Sequence, residues 1–200
     1  YRVSRKRKLY NSLGLTISTT YLLITLSFKG IAHYNIAKAL EDNNIEYKDI
    51  NTRATYFNSI LWSSQIELED SYMFTYYSLF DNSPPSFTKE FPKNHDILIP
   101  FIDNKKIQQL IILSNGHYIM TNENNELIFW NLKLGQKGFD KNASPYIWSY
   151  IIEKTDQGEM LFDETNEKMN ALKIQEVRSF RNNRKYSEEF NNFIERLKGI

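Results

Sequence analysis

The chain contains no cysteine. Disulfide frameworks, thiol nucleophiles and thiolate metal sites are therefore excluded, although the compartment is not identified by this. Histidine is almost as scarce. His33, His95 and His117 are the three present, and none is spaced as H-E-x-x-H or i, i+4, the patterns that set two ligands on one helical face. With only seven glycines the chain has no Gly-rich phosphate loop and no G-x-G-x-x-G after a strand, so ATP and dinucleotide chemistry have no support. Seven Gly and five Pro also exclude collagen-like repeats. Neither sign of charge prevails, since 25 Lys and Arg face 24 Asp and Glu.

Material for a core is plentiful. Two hundred residues, 41% of them hydrophobic and including 13 Tyr and 13 Phe, suffice for one folded domain, or one domain with a helical appendage. The charge is unevenly placed. Arg2, Arg5, Lys6, Arg7 and Lys8 put five cations in residues 1–8, so a whole-chain net charge of +1 leaves the remainder at −4. Nucleic-acid binding across the body is not expected. The basic block fits the cytoplasmic flank of a membrane helix ending just before Tyr1. The chain opens on Tyr and has no signal-peptide pattern, so the expectation is a segment of a longer parent with several hydrophobic spans upstream.

Leu9 to Phe28 is a run of twenty residues without charge, bracketed by Lys8 and Lys29. The length suits a bilayer. Asn11, Ser12, Thr16, Ser18, Thr19, Thr20, Thr25 and Ser27 interrupt it, however, and Leu13, Ile17, Tyr21, Ile24, Phe28 and Ile31 recur as one helical stripe. The pattern predicts a buried amphipathic helix over residues 9–44, stopped at Asp42-Asn43-Asn44.

Beyond Asn44 the period changes to two. Ile60, Trp62, Ser64, Ile66 and Leu68 alternate with Leu61, Ser63, Gln65, Glu67 and Glu69, and Glu69-Asp70-Ser71 turns into Tyr72–Phe80, a hairpin. Asn82-Ser83-Pro84-Pro85 opens a loop. Asp103 is placed to cap a helix through Leu113 that Asn115-Gly116 stops. His117–Thr121 and Leu127–Leu134 read as a second hairpin around residues 122–125, and Tyr146–Glu153 as a further strand. The sheet domain is thus expected over residues 45–165, with a helical tail over 166–200 whose last stripe is Phe190, Phe193, Ile194 and Leu197. The fold class is α+β: a mainly antiparallel twisted sheet, covered on one face by the long N-terminal helix and the short middle helix, its other face free.

Chemistry-bearing patterns are few. Glu67 and Glu69 share a strand face, which patterning turns toward water, and neither Ser78 nor Ser114 has a neighbouring base. Trp62, Trp130, Trp148 and the run Tyr72, Phe74, Tyr76, Tyr77 and Phe80 read mainly as core. Arg178, Arg181, Arg184 and Lys185 read as a solvated helix face. A metal site, were one to form, would draw on His95, Asp96 and His117.

Several segments together carry a resemblance. They are Thr52–Trp62 (T-R-A-T-Y-F-N-S-I-L-W), Tyr76–Asp81 (Y-Y-S-L-F-D), Pro92-Lys93-Asn94, Ser114–Tyr118 and Asn131–Gln136 (N-L-K-L-G-Q). In this order and spacing the chain resembles the C-terminal soluble part of bacterial inner-membrane proteins classed as membrane-bound metal-dependent hydrolases. The family's first segment carries two prolines at the positions of Ala54 and Tyr56. The resemblance implies an accessory or substrate-presenting domain on the cytoplasmic side of the inner (plasma) membrane. Its partners would be its own N-terminal membrane domain and the membrane surface, not nucleic acid. It also implies no cofactor in this domain, since the residues that would hold a divalent metal belong to the upstream membrane portion. The alternatives are a non-catalytic ligand-binding or protein-interaction module at the membrane, and a self-contained hydrolase. Asn58, Trp62, Tyr77, Asp81 and His117 are the candidate pocket or motif residues, with Asn58 and Asp81 expected near each other and near Trp62.

Overall fold

The structure is a computed structural model that describes residues 2–123, 126–135, 148–154, 172–178 and 186–199. Helix α1 runs unbroken from Arg2 to Asp42, 41 residues with no proline. Asn43 and Asn44 end it. The Asn43 side-chain amide donates to the Ala39 carbonyl, and Asn44 takes the left-handed conformation at φ 55 that closes many helices.

Only the last third of α1 belongs to the body. Ala32, Ile36 and Leu40 are fully buried against Trp62, Ile66, Leu68, Met73 and Tyr77, with Phe28 at the margin. The stripe expected to be buried along residues 9–24 is exposed: Leu13 by 49%, Ile17 by 68%, Tyr21 by 58% and Ile24 by 46%, with Ile31 also open. Length explains this correction. At 1.5 Å per residue α1 is about 60 Å long, whereas the seven- and eight-residue strands beneath it span about 25 Å.

The first sheet contains β1 (Asp49–Ala54), β2 (Leu61–Glu67), β3 (Ser71–Ser78) and β4 (Phe91–Pro92), antiparallel and in that order. The expected hairpin is present, with Trp62 opposite Tyr77 and Glu67 opposite Tyr72. Strand β1 was not anticipated, because Asp-Ile-Asn-Thr-Arg-Ala has one large apolar residue and lies at the sheet edge. The second sheet orders β5 (Tyr118–Glu123), β6 (Glu126–Asn131), β7 (Trp148–Lys154) and β8 (Leu172–Arg178), again antiparallel.

Helix α2 (Lys105–Leu113) covers the second sheet, placing Ile107 and Leu110 against Tyr118, Met120, Phe129 and Ile152. Its cap is Asn104, one residue after the expected Asp103, whose side chain accepts from the Lys106 amide at 2.9 Å. The chain is α+β with antiparallel pairing throughout and a long N-terminal helix, as expected, but the strands form two sheets, each under its own helix. The face of the first sheet expected to be free is also covered, since Tyr72 and Phe74 pack on Ile119 and Leu132 from the second sheet and its exit.

The tail divides. Leu172–Arg178, expected to be helical, is strand β8, and helix α3 occupies Tyr186–Leu197. Phe193, Ile194 and Leu197 are half-buried, but Phe190 is exposed by 62%. Arg181, Arg184 and Lys185 lie outside the described residues, as do Tyr146 at the expected start of β7 and Asn124-Asn125 in the second hairpin.

Candidate functional site

Two clusters of polar side chains, at opposite ends of the β2–β3 hairpin, gather the residues singled out in the sequence. Asn58, Trp62, Tyr77 and Asp81 gather at the end where Leu61 pairs with Ser78 and the Leu79 amide donates to the Ile60 carbonyl. His117 is at the other end, beside Glu67 and Tyr72. Five residues of strand, about 17 Å, separate the ends.

At the first end Asn58 organises the loop between β1 and β2. Its carbonyl oxygen accepts from the amides of Ile60 (3.0 Å) and Leu61 (2.7 Å), and its amide donates to Thr55 Oγ1 at 2.7 Å. This is the local bonding that favours Asn in turns. Trp62 and Tyr77, cross-strand partners, are buried toward α1. The indole donates to the Ser59 carbonyl at 3.1 Å, and Tyr77 Oη accepts from the Asn35 amide of α1 at 3.2 Å. Burial, and next the Asp81 charge, hold the Tyr77 phenol above its ordinary pKa.

Asp81 is 6% exposed at its side chain. Its carboxylate accepts from the Ser78 amide at 2.9 Å and from both arms of the Arg196 guanidinium, at 2.6 and 2.7 Å. The second arm of Arg196 also donates to the Tyr76 carbonyl at 2.6 Å, and Ser78 Oγ donates to the Leu197 carbonyl at 2.6 Å. Gly199, at φ 79, approaches so closely that a Cβ there would sit 2.5 Å from the Phe80 carbonyl oxygen. Together these bonds dock α3 on the hairpin. Sequence reasoning missed Arg196, because its partner is 115 residues away and no local pattern joins them.

At the second end Lys93 is nearly buried, and its ammonium donates to Glu67 Oε1 (2.7 Å), the Leu68 carbonyl (3.0 Å) and the Glu69 carbonyl (2.9 Å). It also sits 5.1 Å from the Tyr72 ring centroid. The expectation that Glu67 and Glu69 both face water is corrected for Glu67. Glu69 is exposed and pairs with Lys48, while Glu67 turns toward Lys93 and lies 3.6 Å from His117 Nδ1. That nitrogen is buried and has no hydrogen-bond partner among the described residues. Burial, then the Glu67 charge, push the Tyr72 phenol up.

Around this cluster the two sheets are sewn together: the Met120 amide donates to the Lys93 carbonyl at 3.0 Å and the Asn94 side chain to the Met120 carbonyl at 2.9 Å, while within the second sheet the Leu132 amide donates to the His117 carbonyl at 3.1 Å. Arg53 donates to the Lys133 carbonyl and, at 3.3 Å, to Gln65. Thr52–Trp62 meets Tyr76–Asp81 along the β2–β3 hairpin on which α3 docks, Lys93 and Asn94 bond to Met120, and Ser114–Tyr118 meets Asn131 and Leu132; Gln136 lies outside the described residues.

His95, Asp96 and His117 do not assemble as a metal site. The His95 ring stacks on Tyr118 with its Nε2 2.9 Å from the Tyr118 carbonyl oxygen, Asp96 is exposed, and His117 turns toward Glu67. Among the described residues no three His, Asp or Glu side chains converge as metal ligands. Ser78 and Ser114 direct their hydroxyls to the carbonyls of Leu197 and Ile111.

No protein-family model, no curated protein and no solved structure matches this chain.

Proposed function

We propose that the chain is a membrane-anchored accessory domain, in which residues 9–28 cross the bilayer and the two-sheet body serves as the soluble, substrate-presenting part of a membrane-bound metal-dependent hydrolase. One observation carries the anchor: an uncharged stretch of twenty residues stays exposed on the same continuous helix whose last third is built into the core. Twenty helical residues rise about 30 Å, the thickness of a hydrocarbon core. By length and composition α1 qualifies to cross a membrane. Three of its hydroxyls are satisfied within the helix. Ser18, Thr25 and Ser27 donate to the carbonyls of Leu15, Leu22 and Leu23 on their own helix, each at 3.0 Å, so these groups need no water. Tyr10, exposed by 66%, stands next to Lys8 where an interfacial aromatic belongs.

With the span at residues 9–28, the five cations of residues 1–8 flank it on the N-terminal side. The positive-inside rule then holds that flank in the cytoplasm and places the body across the membrane. The cytoplasmic placement of the body that the resemblance implies would instead follow from the same rule if a span upstream of Tyr1, and not residues 9–28, crossed the membrane. The substrate-presenting role rests on the family resemblance.

Alkaline-carbonate extraction of membranes containing the full chain tests the anchor. The chain should stay in the pellet, and the double variant Ile17→Arg/Leu22→Arg should move to the supernatant, because each central Arg costs about 2.5–3.5 kcal/mol of insertion. Wild-type chain extracted by carbonate would refute the span. An impermeant maleimide on Glu41→Cys, in a chain otherwise free of cysteine, then reads the side of the body.

A further inference from the structure

Helix α1 joins the body at one particular end. Asn35 is bonded to Tyr77 beside Trp62, and the helix runs on past Leu40 to Asp42, from where the chain passes Ile45 to the Lys48 amide that meets the Glu67 carbonyl. Followed backward, from Asn35 to Lys29, the helix therefore leaves past the Trp62 end, toward the uncharged run. Beyond that same end the strands continue into the loop at residues 55–60 and the turn at residues 79–81.

This end is unusually apolar at its tip. Phe57 is wholly exposed, at 106%, Tyr56 is exposed by 64% and Phe80 by 56%. Phe57 also holds φ 60, uncommon for a bulky residue, in a loop that the Asn58 side chain pins on both sides. Two exposed cations belong to the elements that meet this end: Lys29, six residues before Asn35 on α1, and Lys198, next to the Leu197 carbonyl that Ser78 holds beside Phe80.

We propose that Tyr56, Phe57 and Phe80 form an interfacial foot that rests the body on the bilayer its own helix crosses, with Lys29 and Lys198 facing the headgroups. The proposal depends on residues 9–28 being the span. Aromatic side chains favour the boundary between headgroups and acyl chains, and lysines there add attraction to anionic lipid. A foot beside the helix exit makes the body's contact two-point and fixes its tilt.

Spin labels on the full chain, reconstituted in phosphatidylcholine–phosphatidylglycerol vesicles, test this. Single cysteines at Ile17, Phe57, Phe80 and Glu41 are each labelled, and collision with oxygen is compared with collision with a water-soluble nickel chelate. The expected result is a buried label at 17, an aqueous one at 41, and labels at 57 and 80 shielded from nickel several-fold relative to 41. Because the Phe57 side chain is fully exposed, its replacement should not disturb folding. A buried label at 17 with aqueous labels at 57 and 80 overturns the foot and leaves the span standing. An aqueous label at 17 overturns both.

Discussion

Arg196→Met removes the guanidinium that holds α3 to the hairpin, and its cost can be worked from the contacts. Asp81, 6% exposed with Arg196 in place, keeps the Ser78 amide as its remaining donor from this cluster, where three donors had converged. Breaking a buried ion pair from one side costs about 3–5 kcal/mol, since the surviving charge stays desolvated. Arg196 is 23% exposed, so water can enter its place and the lower end, about 3 kcal/mol, is expected. At a urea dependence of about 2 kcal/mol per molar, the midpoint should fall by about 1.5 M. The assay is urea unfolding of the full chain in non-ionic micelles, followed by tryptophan fluorescence, with hydrogen exchange of the α3 amides as the local readout. Asp81→Asn in the Arg196→Met background removes the stranded charge and should recover about 1–2 kcal/mol. A single variant losing under about 1 kcal/mol, with no recovery in the double, refutes the reasoning.

The division of α1 makes a paired prediction: Leu40→Ala should cost about 2–5 kcal/mol because Leu40 is fully buried, while Leu15→Ala, at a position 69% exposed, should leave the urea midpoint of the body unchanged. The Tyr76 phenol is pushed up to about 12, chiefly by burial, against the opposing effects of a hydrogen bond from Ser63 and the Arg53 charge. Between about pH 10 and 12 the unfolded chain therefore loses this proton while the folded chain keeps it, so stability should fall as pH rises through that window. Alkaline unfolding curves of Tyr76→Phe should be flatter over the same range, and identical slopes would show that Tyr76 does not contribute.

Legibility in the sequence followed the range of the interactions. The β2–β3 hairpin was readable because apolar alternation and the Glu69-Asp70-Ser71 turn are local, and the stop of α2 was readable because Asn115 and Gly116 both take positive φ, at 57° and 78°. Asn58 was readable as a turn organiser, because its bonds reach no further than three residues. The Glu67–Lys93 pair, 26 residues apart, and the Asp81–Arg196 pair, 115 apart, carry no local signature. A charge on a strand is indistinguishable by pattern from one facing water, which is why Glu67 was placed outside.

The run from Leu9 to Phe28 states the difference most clearly. Its helical character, its length and its lack of charge were determined by the sequence alone, through backbone propensity and side-chain composition. Whether that helix lies against the body or projects from it was not, because the 3.6-residue period is the same in both cases. Only the tertiary structure decided it. The sheet under α1 accommodates the stretch from Phe28 to Leu40 and no more, so the apolar residues before it find no partner within the described fold.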